Sequence, residues 1–189
     1  HLETLTDLEK HDLAEVRLFD GVGAEMFAKH AFDFADDLIK ETLQKSKIIA
    51  MVGASVPKDN ETVAKMRLKP SIIVMKYLIE FGYKVIPVNP FSVGKKVNGE
   101  TIVEKLEDIS SQIDIVNVFR PSKETPDIAK KAIKVGAKTL WLQFGIQNNE
   151  AEEISKSAGL TCIMNKCIKQ EYQRLFLKIK PVFPVLLND

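Results

Sequence analysis

Residues 47–55 read KIIAMVGAS, and the fold follows from how this stretch is read. Lys47 to Val52 is a short apolar run, the composition of a parallel strand buried on both faces. It ends at Gly53-Ala54-Ser55, a turn leading toward a helix. In sheets of parallel strands, ligands bind outside the carboxyl ends of the strands, beside the first one. Gly53 lets backbone approach a bound group, Ser55 offers a hydroxyl, and the N–H groups of a following helix suit a phosphate. By themselves these three residues read equally well as a plain tight turn.

Outward from this turn, strand and helix alternate. Pro70 to Phe81 predicts a helix, with proline in the first turn and Gly82 at the stop. Lys84 to Val88 predicts a strand broken by Asn89-Pro90. Asn98-Gly99 signals a turn, followed by a short third strand over Thr101 to Val103. Asp114 to Phe119 and Thr139 to Gln143 are further apolar strands. Between them Thr125-Pro126-Asp127 opens a helix with a cap residue, a proline and an acid, and Gly136 stops it. Asn149 with Glu152 resembles a capping box for a helix that Gly159 ends, and Leu160 to Met164 is the last strand. The alternation is that of an α/β protein with a doubly wound, mostly parallel sheet.

Upstream the character changes. Residues 1–45 carry five Lys/Arg and eleven Asp/Glu, a net of −6, whereas residues 46–189 carry 22 and 15, a net of +7. The overall +1 is an average over unlike pieces, with a boundary near Lys45. Ala24 to Leu43 places Phe27, Ala31, Phe34, Leu38 and Ile39 near one helical face. Gly21 and Gly23 separate it from a shorter stretch around Leu13, Val16 and Leu18. This acidic helical arm either packs on its own domain or serves as a dimerisation or partner-binding arm. The domains expected are the arm (1–45), the α/β domain (46–175) and an apolar tail (176–189), whose PVFPVLL run (181–187) is extended because of Pro184.

Composition excludes several classes. In 189 residues, 45% hydrophobic and 28% charged, no apolar run reaches the roughly 18 residues of a membrane span. The charge balance gives no nucleic-acid footprint. Two cysteines, Cys162 and Cys167, make neither a zinc cage nor a disulfide framework. They favour a reducing compartment, and the acidic first 45 residues lack a signal peptide's apolar core. The cytoplasm is the expected location, with an organelle after removal of a transit peptide as the alternative. All three histidines lie at or before His30, so a Ser/His/Asp arrangement has no histidine in the α/β domain. GxGxxG is absent, and Asn89 stands where NAD enzymes hold a ribose with an acid. Both absences argue against NAD and fit a nucleotide with a phosphate on its ribose, such as coenzyme A. An NAD(P)-binding, redox-linked module is the first alternative.

Six ordered blocks carry a resemblance: IAMVGAS (49–55), KPSIIVMKYL (69–78), GYKVIPVNP (82–90), DIVNVFRP (114–121), GAKTLWLQFGI (136–146) and MNKCIKQEYQRL (164–175). Over residues 37–175 the chain closely resembles the small CoA-binding domain proteins, whose domain also forms the N-terminal part of the succinyl-CoA synthetase alpha subunit. The resemblance implies a Rossmann-like sheet with CoA across its carboxyl edge. On that basis Gly53, Ala54 and Ser55 lie near the CoA phosphates, and Lys69, Pro70 and Ser71 begin the first helix beside them. Val88, Asn89 and Pro90 lie at the adenosine side. Phe119, Arg120 and Pro121 lie against the ligand, Gln143 and Gly145 follow the Trp141 strand, and Cys167 matches a cysteine of the last block. The chain departs from the family in the longer loop before Pro70, which contains DNETVAKMR (59–67), so that Lys58, Lys65, Arg67 and Lys69 all compete as phosphate ligands. Asn165-Lys166 replaces the family's Asp-Arg, and Tyr172 replaces its histidine.

The 189 residues are too few to hold the synthetase's ligase domain as well. The expectation is therefore non-catalytic binding of CoA or an acyl-CoA, or else a CoA-site subunit of a separate ligase. Three residues keep two readings each. Arg120 is a phosphate contact or a structural ion pair. Cys167, flanked by Lys166 and Lys169, is a thiol of lowered pKa able to form a mixed disulfide with CoA, or a packing residue. The helix 70–81 is apolar almost all round and needs a second cover, from the N-terminal arm or another subunit. The arm and the C-terminal tail are the other surfaces through which copies could associate.

Overall fold

Five parallel strands in the order β2-β1-β5-β6-β7 form the central sheet. They are β1 (Ile48–Val52), β2 (Lys84–Val88), β5 (Ile115–Val118), β6 (Thr139–Leu142) and β7 (Thr161–Ile163). The structure is a computed structural model that describes residues 22–56, 62, 65 and 69–179. The stretch around Leu13, the basic residues Lys58 and Arg67, and the tail 181–187 lie outside the described residues.

From β1 the chain steps to β2 on one side, then crosses back past β1 and builds β5, β6 and β7 on the other. Parallel crossovers are right-handed, so these two directions put their helices on opposite faces. Helix α2 (Pro70–Glu80) joins β1 to β2. Helices α3 (Thr125–Lys134) and α4 (Asn149–Ser157) join β5, β6 and β7 and pack on each other. The sheet is therefore covered twice, as its uniformly apolar strands require. Ala50, Val116, Val118, Leu140 and Leu142 form one core with Ile128, Ala129, Ala132 and Ala151 of α3 and α4. The alternate residues Ile49, Met51, Ile115 and Trp141 are equally buried and point to the other face.

Several predicted details are corrected. The third strand is not Thr101 to Val103. Instead β3 (Lys96–Val97) and β4 (Glu100–Thr101) form a small hairpin about Asn98-Gly99, and Val103 makes a lone parallel bridge to Val88. Thr125 is not a cap: a 3-10 turn, Ser122–Glu124, runs directly into α3, and the Thr125 hydroxyl donates to the Ser122 carbonyl (2.7 Å). The cap of α4 is Asn148, one residue early, whose side chain accepts from Ala151 N at 2.9 Å.

The second cover of α2 comes from its own domain. Helix α5 (Ile168–Tyr172) continues into a π-helical turn, Gln173–Leu177, and packs beside α2. Tyr77 stacks on Phe81 (4.6 Å between centroids), Phe81 meets Tyr172 (4.9 Å), and Tyr172 meets Phe176 (4.8 Å). Tyr83 adds an edge contact to Tyr172 (6.2 Å) and donates its hydroxyl to the Leu43 carbonyl (2.6 Å). Burial and Tyr172 push the Tyr83 phenol up to about 12. Tyr172 is thus the centre of an aromatic cluster.

The chain divides into two compact units, His1–Glu41 and Thr42–Asp189. Helix α1 (Val22–Lys45) is longer than the periodicity of Ala24 to Leu43 predicts. On its predicted apolar face Phe34 is exposed, whereas Ile39 is buried. Among the described residues, no helix is long and apolar enough to cross a membrane.

Candidate functional site

The switch point between β1 and β5 opens onto a crevice of about 560 Å³ at the carboxyl ends of the strands. Its floor is built from backbone. Gly53 N donates to Val88 O (3.1 Å), and Phe119 N donates to Val52 O (2.9 Å), so the ends of β1, β2 and β5 stay in register beyond the strands. Gly53 has φ +84°, and a Cβ placed on it would come within 2.7 Å of the Phe119 carbonyl and 2.8 Å of Arg120 Cδ. Only glycine lets these two loops meet.

Side chains lace the remaining loops together. Ser71, buried in the first turn of α2, accepts from Ser55 N at 3.0 Å. Asn89 Nδ2 donates to Ala54 O (2.9 Å), and Asn89 Oδ1 accepts from Phe91 N (2.9 Å). Asn89 therefore has its own task at the position where NAD enzymes carry an acid. A carboxylate could not donate to the Ala54 carbonyl.

Seven of the residues expected from the sequence line this crevice: Gly53, Ala54, Ser55, Val88, Asn89, Pro90 and Arg120. The others stand behind or beyond it. Ser71 supports the Ser55 loop. Lys69 Nζ donates to Val56 O (3.1 Å) as Pro70 starts the helix. Phe119 supplies the carbonyl facing Gly53, and Pro121 precedes the 3-10 turn. Gln143 is buried and donates to Asn117 Oδ1 (2.7 Å), and Gly145 N donates to Asn165 Oδ1 (2.7 Å).

Cys167 lies at the start of α5. Of its two readings, packing is the one that its burial favours. Burial pushes Cys167 above the ordinary thiol value, outweighing the N–H groups of Gln170 and Lys169 and the Lys169 charge. The Lys169 ammonium sits 5.4 Å from the centre of the Tyr77 ring. Burial likewise raises Cys162 to about 11.

Sequence reasoning missed the crevice's other wall. Glu124 of the preceding 3-10 turn and Asp127, Ile128 and Lys131 of α3 line it. Their spacing of three and four residues is that of one helical face, a signal legible once the helix is placed. Glu104, Lys105 and Leu106 reach the crevice because Val103 pairs with Val88, which no local pattern announces. Phe91 lines it too and is 88% exposed, the highest value among the large apolar residues described.

The lining charges balance: Lys105, Arg120 and Lys131 against Glu104, Glu124 and Asp127. Arg120 donates from Nε and Nη2 to the two Glu124 carboxylate oxygens, 2.8 Å each. This bond chiefly holds the Glu124 carboxyl below its usual range and the Arg120 guanidinium above its own. Lys131 pairs with Asp127 at 2.8 Å. Of the two readings of Arg120, the ion pair is the one seen, and its location in the crevice keeps it within reach of a ligand. Among the described residues, no group of three or more His, Cys, Asp or Glu could hold a metal.

Known proteins share the fold. A family model described as a CoA binding domain matches residues 47–173. The Bacillus subtilis (strain 168) protein YneT is 40% identical over 131 residues, which are 69% of this chain and 89% of that one. The structure of cell-free ID.343 from Thermus thermophilus superposes with a TM-score of 0.66 and 35% identity, covering 75% of this chain and 98% of that one. A hypothetical protein from Pyrococcus horikoshii OT3 gives a TM-score of 0.64 and 39% identity, with 74% and 91% covered.

Proposed function

The chain belongs to the CoA binding domain family, and from that premise we propose that its crevice binds coenzyme A or an acyl-CoA non-covalently, without reacting it. The observation that supports this reading is the crevice itself. It opens at the switch point, where a nucleotide sits in such sheets, and its floor is backbone that glycine brings close. Its volume of about 560 Å³ lies within the roughly 300–1,000 Å³ of small-molecule sites. The lack of any histidine after His30 leaves the α/β domain without the usual acid–base residue, which favours binding over catalysis. Two free cysteines fit the reducing cytoplasm, where we place the protein. Recovery in an exported fraction would move it.

Calorimetry and thermal shift with CoA, acetyl-CoA, NAD(H) and NADP(H) test the reading. Saturating CoA or acetyl-CoA is expected to raise the melting midpoint, since a ligand at about 100 times its Kd adds about 2.7 kcal/mol. Stabilisation by nicotinamide nucleotides alone would overturn it.

A further inference from the structure

We infer that Glu124 is a built-in competitor for the ligand's phosphate: its carboxylate holds the fork of Arg120, and a phosphate gains that fork only by displacing it. The inference rests on the reading of the crevice as a site for a phosphate-bearing ligand. The geometry leads there directly. Arg120 offers two parallel N–H bonds, both spent on Glu124 at 2.8 Å. This side-on edge is one of the two that a guanidinium presents to phosphate, and carboxylate and phosphate cannot both hold it. Both residues line the crevice.

The pair is also placed to be opened. Its side chains keep 41% and 36% of their exposure, where ion pairs are weak. Neither partner can leave the rim, however. Glu124 N is tied to Pro121 O at 2.9 Å in the turn before α3, and Arg120 follows the carbonyl that faces Gly53. Lys131 is paired with Asp127, which leaves Lys105 as the other lining cation. A monoanionic group therefore gains little by replacing Glu124, whereas a doubly charged phosphate gains more from the same fork. Glu124 thus acts through Arg120 as a specificity-determining residue that selects dense negative charge, as on a phosphomonoester or pyrophosphate, over carboxylates.

A double-mutant cycle read by calorimetry tests this with CoA and, separately, inorganic pyrophosphate. Glu124→Gln is expected to tighten binding by about two- to fivefold, the range of an exposed ion pair. In an Arg120→Ala background, Glu124→Gln should change nothing. Weakened or unchanged binding in Glu124→Gln overturns the inference. So does a gain that persists without the arginine fork, because it would report the general field of the crevice. If the wild type binds no CoA but pyrophosphate follows the cycle, the CoA reading fails and the inference stands. If CoA binds and the cycle is flat, the reverse holds. Failure of both probes to bind overturns both.

Discussion

Gly53 concentrates the constraints of the site in one backbone position. Its φ of +84° is a conformation that L side chains rarely adopt, and the space beside it belongs to the Phe119 carbonyl and Arg120 Cδ. Gly53→Ala would have to push the β5 loop away from β1 while adopting a strained backbone. The expected cost is about 2 kcal/mol or more, read as a lowered denaturation midpoint, together with loss of CoA binding. A variant as stable as the wild type would show that the loops part easily. At this scale the sequence was legible wherever a residue's type limits its options. Gly53, Ser55 and Asn89 stood out because a tight turn at a strand end needs small or amide residues. Their partners did not: that Asn89 bonds Ala54 and Ser55 bonds Ser71 depends on loops distant in the chain. Glu124 carried no signal of its own, because an acid near a helix start is ordinary.

At the scale of elements, Asp114 ties two strands together at the sheet's amino edge, opposite the crevice. One carboxylate oxygen accepts from Lys47 N (2.8 Å) and Ile48 N (2.9 Å), at the start of β1. The other oxygen meets Lys138 Nζ at 3.2 Å, just before β6. Burial pushes this carboxyl upward, but the two backbone N–H groups and Lys138 prevail and hold it below its ordinary value. A depressed folded-state pKa means stability that is complete above the unfolded value, about 3.9, and lost as pH falls below it. Asp114→Asn should cost about 1–2 kcal/mol at neutral pH. It should also flatten the acid limb of stability, both read by denaturant titration between about pH 3 and 7. An unchanged acid limb would remove Asp114 from the account. Strands and helices were the most legible elements, because buried parallel strands are apolar runs and glycine or proline mark their ends. The β3–β4 hairpin and α5 were not. Two-residue strands leave no period to read, and α5 exists because Tyr172 and Phe176 find Phe81 and Tyr77 across the fold.

For the whole molecule, the uneven charge matters more than its sum. Residues 46–189 carry +7, suited to a ligand with about four negative charges. Within the crevice, however, three cations face three acids. Among the described residues, the crevice lining therefore contributes nothing to that excess. The crevice-lining residues all belong to the Thr42–Asp189 unit. A chain lacking residues 1–41 is therefore expected to bind CoA within about twofold of the full chain, as independent sites do. A clear gain in affinity would instead mean that the acidic arm screens the basic domain. The doubly wound sheet, the places of its five strands, the glycine turn and the shift of charge near Lys45 were determined by the sequence, because each is a local matter of period, polarity or backbone freedom. The pairing of Arg120 with Glu124, the second wall of the crevice, the cover of α2 by α5 and the raised pKa of Cys167 were decided only by tertiary structure. Each depends on which distant groups meet and on how much water their meeting excludes.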